Sequence, residues 1–308
     1  MRTTPTRLVA CLVALTLFAA ACGSSKSSTA KTDTTSASSS TTLAAIQVDE
    51  ALAAKLPEKV KSAGKIVVAA DASYAPNEFF ADDNTTIQGM DVDLGKAIGE
   101  VLGVDVEFEN AGFKTIIPAL GTRYDLGISS FTDSKEREQS VDMVTYFQAG
   151  TSFLVQAGKN SDLTSLDAIC GKSVGVEEGT VQLDDATAQS ATCTAAGKGA
   201  VNVQAFPDQA GANNALSSSR VDVVMLDTPV AEYQAKISEG AFEVIGESYG
   251  IAPYGIAVPK TSEYTGMTDA LLGAVQKLNT TGAYTEILKR WGIESGAITD
   301  FQINGATS

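Results

Sequence analysis

The 308-residue sequence has no histidine, one tryptophan, four cysteines, and only 22 basic residues against 37 acidic ones, a formal net charge of −15. Each scarcity excludes something. Without histidine there is no Ser-His-Asp or Cys-His nucleophile and no imidazole-ligated metal site, so catalysis would fall to carboxylates, lysine or tyrosine. Neither a metal nor a cofactor is expected. The acidic excess argues against a nucleic-acid partner, since phosphate binding needs a basic face. Charge is also missing from Leu8 to Ala21, inside "MRTTPTRLVACLVALTLFAAACGSS", where an apolar run follows Arg2 and Arg7 and precedes Cys22. Residues 1–21 therefore read as a signal peptide, too short to span a bilayer. Its removal takes the chain to 20 basic against 37 acidic residues, a net of −17.

Ala19, Ala20 and Ala21 before Cys22 resemble the lipobox of bacterial lipoproteins, with Ala19 where that motif more often has leucine. The resemblance implies that Cys22 is lipidated on sulfur and becomes the new N-terminus, and a second acyl chain would make the anchor stable. The alternative is an ordinary cleavage near Ala21 that leaves Cys22 as a free thiol. Residues 22–47 include "SSKSSTAKTDTTSASSSTT", with no apolar face to bury, and read as a flexible tether between membrane and folded domain. With Cys11 removed and Cys22 used, Cys170 and Cys193 remain as a pair in an exported chain. A disulfide is expected between them, the alternative being two separate buried thiols.

From Lys65 the pattern becomes regular. "KIVVAAD" is a short strand, and "DVDLGKAIGEVLG" sets Leu94, Ala97, Ile98, Val101 and Leu102 at helical spacing behind Asp91 and Asp93. "VDVEFE" alternates as a strand, "FKTIIPALGT" is a short helix that tolerates Pro118, and "DLGIS" is a third strand. The order recurs with "KSVGVE", a helix after "EGT", "AVNVQAF", a helix starting at Pro207, and "VDVVMLD". The fold class is α/β, with two like lobes built on open, mostly parallel sheets. In such sheets ligands bind beyond the carboxyl ends of the strands.

Those ends carry Asp71 and Tyr74, then Ser129, Ser130, Thr132 and Arg137, then Glu177, Gly179 and Thr180, and finally Asp227. Arg137 with the Ser130 and Thr132 hydroxyls is a donor set for a carboxylate, and Asp227 is an acceptor for an ammonium. Together they complement a zwitterion between two lobes. Plainer readings compete: Arg137, between Glu136 and Glu138, as a solvated helix residue; the serines and Thr132 as turn residues; Asp227 as the residue before a helix capped by Thr228 with Pro229 at its first position; Asp71 as a strand-ending turn residue.

"SYAP", "GMDVDLGKAIGEVLG", "IIPALGTRYDLGISSFTDSKER", "GKSVGVEEGT" and "LNTTGAYTEILKRWG" together resemble the family 3 extracellular solute-binding proteins, the polar amino acid receptors of ABC importers, over roughly Lys65 to Ile293. The resemblance implies a two-lobed Venus-flytrap fold whose lobes are joined by a two-strand hinge. It implies that Arg137, aided by Ser130 and Thr132, takes a ligand α-carboxylate and that Asp227 takes the α-ammonium. Tyr74 and Phe113 would flank the ligand side chain, and Val181 and Gln182 would add contacts from the second lobe. Two departures bear on specificity: "PN" at Pro76 and Asn77 replaces the usual "PF", and Glu177 stands where relatives are often uncharged. The position of Asp71 holds cationic or amide side chains in relatives, so Asp71 and Glu177 together would favour a basic or amide ligand. The alternative for Glu177 is a solvent-facing side chain or a pair with Lys172.

The expected layout is residues 48–154 and 252–308 in lobe 1, residues 155–251 in lobe 2, and no catalytic domain after Ile293. Expected partners are a free amino acid, ABC permease subunits and the membrane through the lipid anchor, with the chain a monomer held outside the cytoplasmic membrane. Two rival readings remain: an enzyme resembling periplasmic cyclohexadienyl dehydratases, or a sensory receptor domain binding the same ligand.

Overall fold

Two strands much longer than the rest organise the molecule. A computed structural model describes residues 46–306. The expected signal peptide, the lipidation of Cys22 and nearly all of the tether lie outside the described residues. Two short helices, α1 (Glu50–Ala53) and α2 (Glu58–Ala63), lead into β1 (Lys65–Ala70). A small hairpin sheet follows, β2 (Ser73–Tyr74), β3 (Glu78–Phe80) and β4 (Ile87–Gln88). Helix α3 (Met90–Leu102) buries Leu94, Ala97, Ile98, Val101 and Leu102, as their spacing predicts. Its first cap is Gly89, at φ 138°, where an added Cβ would stand 2.0 Å from the Asn77 carbonyl oxygen, so the hairpin closes on the helix only without a side chain there. Asp93 lies at the helix start as expected, bonded to Arg290 and Trp291 at 2.9 Å each, whereas Asp91 turns inward. Strand β5 (Asp105–Asn110), helix α4 (Phe113–Ala119) and β6 (Leu126–Gly127) complete the first half.

Strand β7 (Val141–Gln156) has 16 residues, which at about 3.3 Å each spans roughly 50 Å, enough to serve both halves. The second half runs β8 (Ser173–Glu177), α5 (Val181–Ala195), β9 (Asn202–Phe206), α6 (Gln209–Ser217), β10 (Val223–Asp227) and α7 (Thr228–Ile237). Helix α6 starts two residues after the expected Pro207, because Asp208 caps it by accepting the Gly211 N–H at 2.7 Å. The chain returns through the 18-residue β11 (Phe242–Pro259), then α8 (Met267–Thr281) and α9 (Ala283–Trp291).

Strands β5, β1 and β6 pair in parallel, and so do β9, β8 and β10. The expected pair of crossing strands is β7 and β11, which pair antiparallel along their length and link both triplets into one array ordered β5-β1-β6-β11-β7-β10-β8-β9. Their register shifts between Ile245 and Tyr249 and again between Tyr249 and Ala252, where β11 passes from the second triplet to the first. The apolar cores stay separate. One joins α3, α8, α9 and the first triplet, a second in the same half surrounds Phe113, Ile116 and Phe131, and two more lie around Leu154, Val224 and Leu226 and around Phe153, Val174 and Met225. Tyr74 is a first-half residue packed in a second-half core.

Cys170 and Cys193 form a disulfide, with Cα atoms 5.5 Å apart across a separation of 23 residues. It ties α5 to the turn before β8. Replacing both cysteines by serine should lower the unfolding free energy in denaturant melts by roughly 3 kcal/mol on the loop-entropy argument. Unchanged stability would mean that the reduced chain is already constrained in its unfolded state.

Candidate functional site

The carboxyl ends of β1, β6, β8 and β10 converge on one narrow cavity between the two halves, at the strand-end position where α/β sheets hold small ligands. Its lining includes every residue singled out for binding: Asp71, Tyr74, Phe113, Ser129, Ser130 and Thr132 with Arg137 from the first half, and Glu177, Thr180, Val181, Gln182 and Asp227 from the second. One further wall residue, Glu78, is not legible in the sequence.

Arg137 opens a single 3-10 turn (Arg137–Gln139), and its guanidinium points across the cavity rather than into solvent. Nη1 donates to the Thr132 carbonyl at 2.9 Å and Nη2 to the Gly179 carbonyl at 3.0 Å, so one side chain bridges the two halves. It lies 5.4 and 5.5 Å from the ring centres of Phe113 and Phe131, themselves stacked at 4.6 Å. Two of five N–H donors are used, and three remain for a ligand. Burial draws its pKa down, with the Asp227 charge opposing.

Asp227 ends β10 and is the N-cap position of α7, yet its carboxylate makes no capping bond. Oδ1 accepts from Gln182 at 2.7 Å and Oδ2 from the Tyr254 hydroxyl at 2.6 Å, while its N–H donates to the Tyr74 hydroxyl at 3.0 Å. Burial raises its pKa, and the Tyr254, Tyr74 and Gln182 bonds restrain the rise. Asp71 accepts the Phe113 N–H at 3.0 Å and is also raised by burial. Glu177 is 3% exposed, at the cavity wall rather than in solvent, and its Oε1 has no hydrogen-bond partner. Burial, then the charges of Asp71 and Asp208, push it well above the ordinary carboxylate range.

Beneath the serines lies a second pair of acids. The Ser129 hydroxyl accepts the Asp71 N–H at 2.9 Å and donates to Glu78 Oε1 at 2.8 Å. Ser130, held at φ 51°, accepts from Asn77 at 2.9 Å, and its oxygen stands 3.3 Å from both Glu78 Oε2 and Asp91 Oδ2. One hydroxyl proton cannot serve both acceptors, so the pair needs a proton of its own. Asp91 also accepts the Ser130 N–H at 2.8 Å and the Tyr146 hydroxyl at 2.7 Å. Burial and the Asp91 charge push Glu78 well up, and burial raises Asp91 to about 6. The Ser130 hydroxyl is thereby committed below the cavity, a placement that the sequence did not reveal.

The walls also touch directly. Lys114 pairs with Glu178, Ser73 Oγ accepts the Gln209 N–H at 3.0 Å, and Gly179, at φ 81°, comes so close that a Cβ would stand 2.8 Å from that of Lys114.

The family model for bacterial extracellular solute-binding proteins, family 3, matches residues 66–294. The chain belongs to that family. An arginine-binding protein of Corynebacterium glutamicum, ArgT, is 34% identical over 254 residues, 82% of each chain. An ancestral arginine-binding protein bound to arginine is 33% identical with a TM-score of 0.67, over 74% of this chain and 98% of its own. A second structure of an ancestral arginine-binding protein, bound to glutamine, is 33% identical with a TM-score of 0.66, over 75% of this chain and 99% of its own. Binding proteins of this family thus share the two-lobed α/β architecture found here.

The Glu78–Asp91 pair gives a signed pH prediction for the ligand-free protein. Asp91 rises from 3.8 to about 6 on folding, so the folded state holds more protons than the unfolded state between those values. Its contribution is complete below pH 4 and is lost as pH climbs through 6, by up to about 3 kcal/mol for a two-unit shift. Denaturant melts should find the protein more stable near pH 5 than near pH 7 by more than in Asp91→Asn, whose amide mimics the protonated acid. An equal pH slope in both proteins would show that Asp91 does not carry the proton.

Proposed function

We propose that this chain is the substrate-binding component of an ABC importer and captures a free amino acid with a basic or amide side chain, arginine foremost. The observation that carries this reading is the pairing of Arg137 and Asp227 on opposite walls of a cavity that is also lined by Glu177, whose buried Oε1 has no hydrogen-bond partner. An α-carboxylate would meet the three free N–H donors of Arg137, and an α-ammonium would meet Asp227. The side chain would then lie against Tyr74 and Phe113 and end near Asp71 and Glu177. Four carboxyl side chains and one guanidinium face the cavity, so a cationic ligand relieves repulsion that a second ligand carboxylate would add to. The arginine-binding relatives support the basic side chain, and the glutamine-bound one supports the amide.

Binding proceeds in two steps. Ligand docks first on Arg137 and Tyr74 and then recruits Asp227, closing the walls; it shifts that equilibrium only by its differential affinity for the closed form. Strands β7 and β11 serve as the hinge, with residues 48–154 and 252–308 as one lobe and residues 155–251 as the other. Thr151, paired with Asp227, marks the crossing slightly before the boundary at residue 154. Cys22 would carry the lipid that tethers a monomeric receptor outside the membrane near its permease. The dehydratase reading has one candidate group in the cavity, the buried Glu177 with its raised pKa, which could serve as a base; the arginine-binding relatives favour capture over turnover.

A thermal-shift screen against the amino acids, after unfolding and refolding to strip carried-over ligand, tests this. Arginine, lysine, ornithine or glutamine should raise the melting temperature. A response to aspartate or glutamate alone would overturn the side-chain reading, and no response at all would overturn amino acid capture. Arg137→Ala should weaken arginine binding at least about 100-fold, roughly 2.7 kcal/mol. Glu177→Gln should weaken arginine more than glutamine.

A further inference from the structure

The segment that carries Arg137, between β6 and β7, has little regular structure of its own, yet it must hold a half-buried guanidinium in register with a ligand. Its start is tied to β11: Asp133 N–H donates to the Pro253 carbonyl at 2.7 Å, and Gly255 N–H donates to the Phe131 carbonyl at 2.8 Å. Its other support comes from the far end of the chain. Residues 302–306 lie along β7, with Thr145 N–H donating to the Gln302 carbonyl at 2.9 Å and Gln302 N–H to Thr145 Oγ at 2.7 Å. Asn304 is fixed three ways: its N–H donates to the Met143 carbonyl at 2.8 Å, its Oδ1 accepts the Met143 N–H at 2.9 Å, and its Nδ2 donates to Asp142 at 2.9 Å. The next two N–H groups leave β7 and reach the Arg137 segment. Gly305 N–H donates to Asp133 Oδ2 at 2.7 Å, and Ala306 N–H donates to Glu138 Oε1 at 3.0 Å.

Both acceptors flank Arg137 in the chain, and they are acids. Asp133 is 2% exposed, and its second oxygen has no hydrogen-bond partner. Glu138 also pairs with Lys135 at 2.9 Å. Without these N–H donors the short segment from Asp133 to Glu138 loses the anchors that fix where Arg137 stands, and the guanidinium loses its register with a ligand carboxylate.

We propose that residues 302–306 form a strap that positions Arg137 for carboxylate recognition, with Asp133 and Glu138 as the points where it grips. The strap itself touches no ligand. This rests on the reading of Arg137 as the carboxylate anchor, and the test separates the two.

Titration calorimetry of the stripped protein with arginine and with argininamide, which lacks the carboxylate, reads the ratio of the two affinities. The unaltered chain should prefer arginine. A chain ending at Phe301 should lose about tenfold or more of its arginine affinity while argininamide changes less than about threefold, so the ratio collapses. Asp133→Ala should act in the same direction. Asp133→Asn, which keeps an acceptor for the Gly305 N–H, should retain the ratio, and this pair decides the matter if the shortened chain does not fold. An unchanged ratio in Asp133→Ala, or equal weakening of both ligands, would overturn the strap while leaving the Arg137 anchor standing. Equal binding of acid and amide by the unaltered chain would overturn the anchor, and the strap with it.

Discussion

Five ionisable side chains face a cavity too small to hydrate them: Asp71, Glu78, Glu177 and Asp227 against the single guanidinium of Arg137. Isolated buried charge is costly, and the surrounding structure offsets that cost group by group. Asp227 is held by Gln182 and Tyr254, Asp71 by the first amide of α4, and Glu78 by the Ser129 hydroxyl. Glu177 is the exception. Its free Oε1 is a polar group left short inside the fold, and the missing partner is the simplest physical motive for drawing in a cation.

The same arrangement couples recognition to the relation between the two walls. Arg137 comes from the first half but bonds the Gly179 carbonyl of the second, and Tyr74 reaches the Asp227 backbone in the opposite direction. These bonds exist only with the walls together, so whatever neutralises the cavity also stabilises the closed arrangement. The long strands make this compatible with one hydrogen-bonded sheet. Their register breaks near Tyr249 and Ala252 fall between the two triplets of parallel strands, where the proposed hinge would bend.

Much of this was legible in the residues. The helix of Leu94, Ala97, Ile98, Val101 and Leu102 follows from periodicity, and the cavity follows from asking what stands at the ends of four strands. Residue chemistry alone offered Arg137 as an anchor and Asp227 as an acceptor, and the resemblance weighed that pairing above the plainer readings of turn and cap residues. What escaped has physical reasons. The hairpin that bears Glu78 has strands of two and three residues, too short for alternation to register. Asp91 reads as a helix-start acid whichever way its side chain turns, because a carboxylate near an N-terminus is favourable inside or out. The commitment of the Ser130 hydroxyl depends on a left-handed backbone, φ 51°, at a residue with no special preference for it.

A site that discriminates by charge must fix its one cation more firmly than its acids, because an arginine free to swing would find a partner among four nearby carboxylates. Every contact of Arg137 bears on this. Carbonyls rather than carboxylates accept its donors, the rings of Phe113 and Phe131 lie about 5.5 Å away, and Asp133 and Glu138 on its own segment are occupied by the Gly305 and Ala306 N–H groups. Carbonyl oxygens orient a guanidinium without neutralising it. On the proposed reading its charge stays available to a ligand carboxylate, and the acidic surroundings that would otherwise quench it select the other end of the ligand.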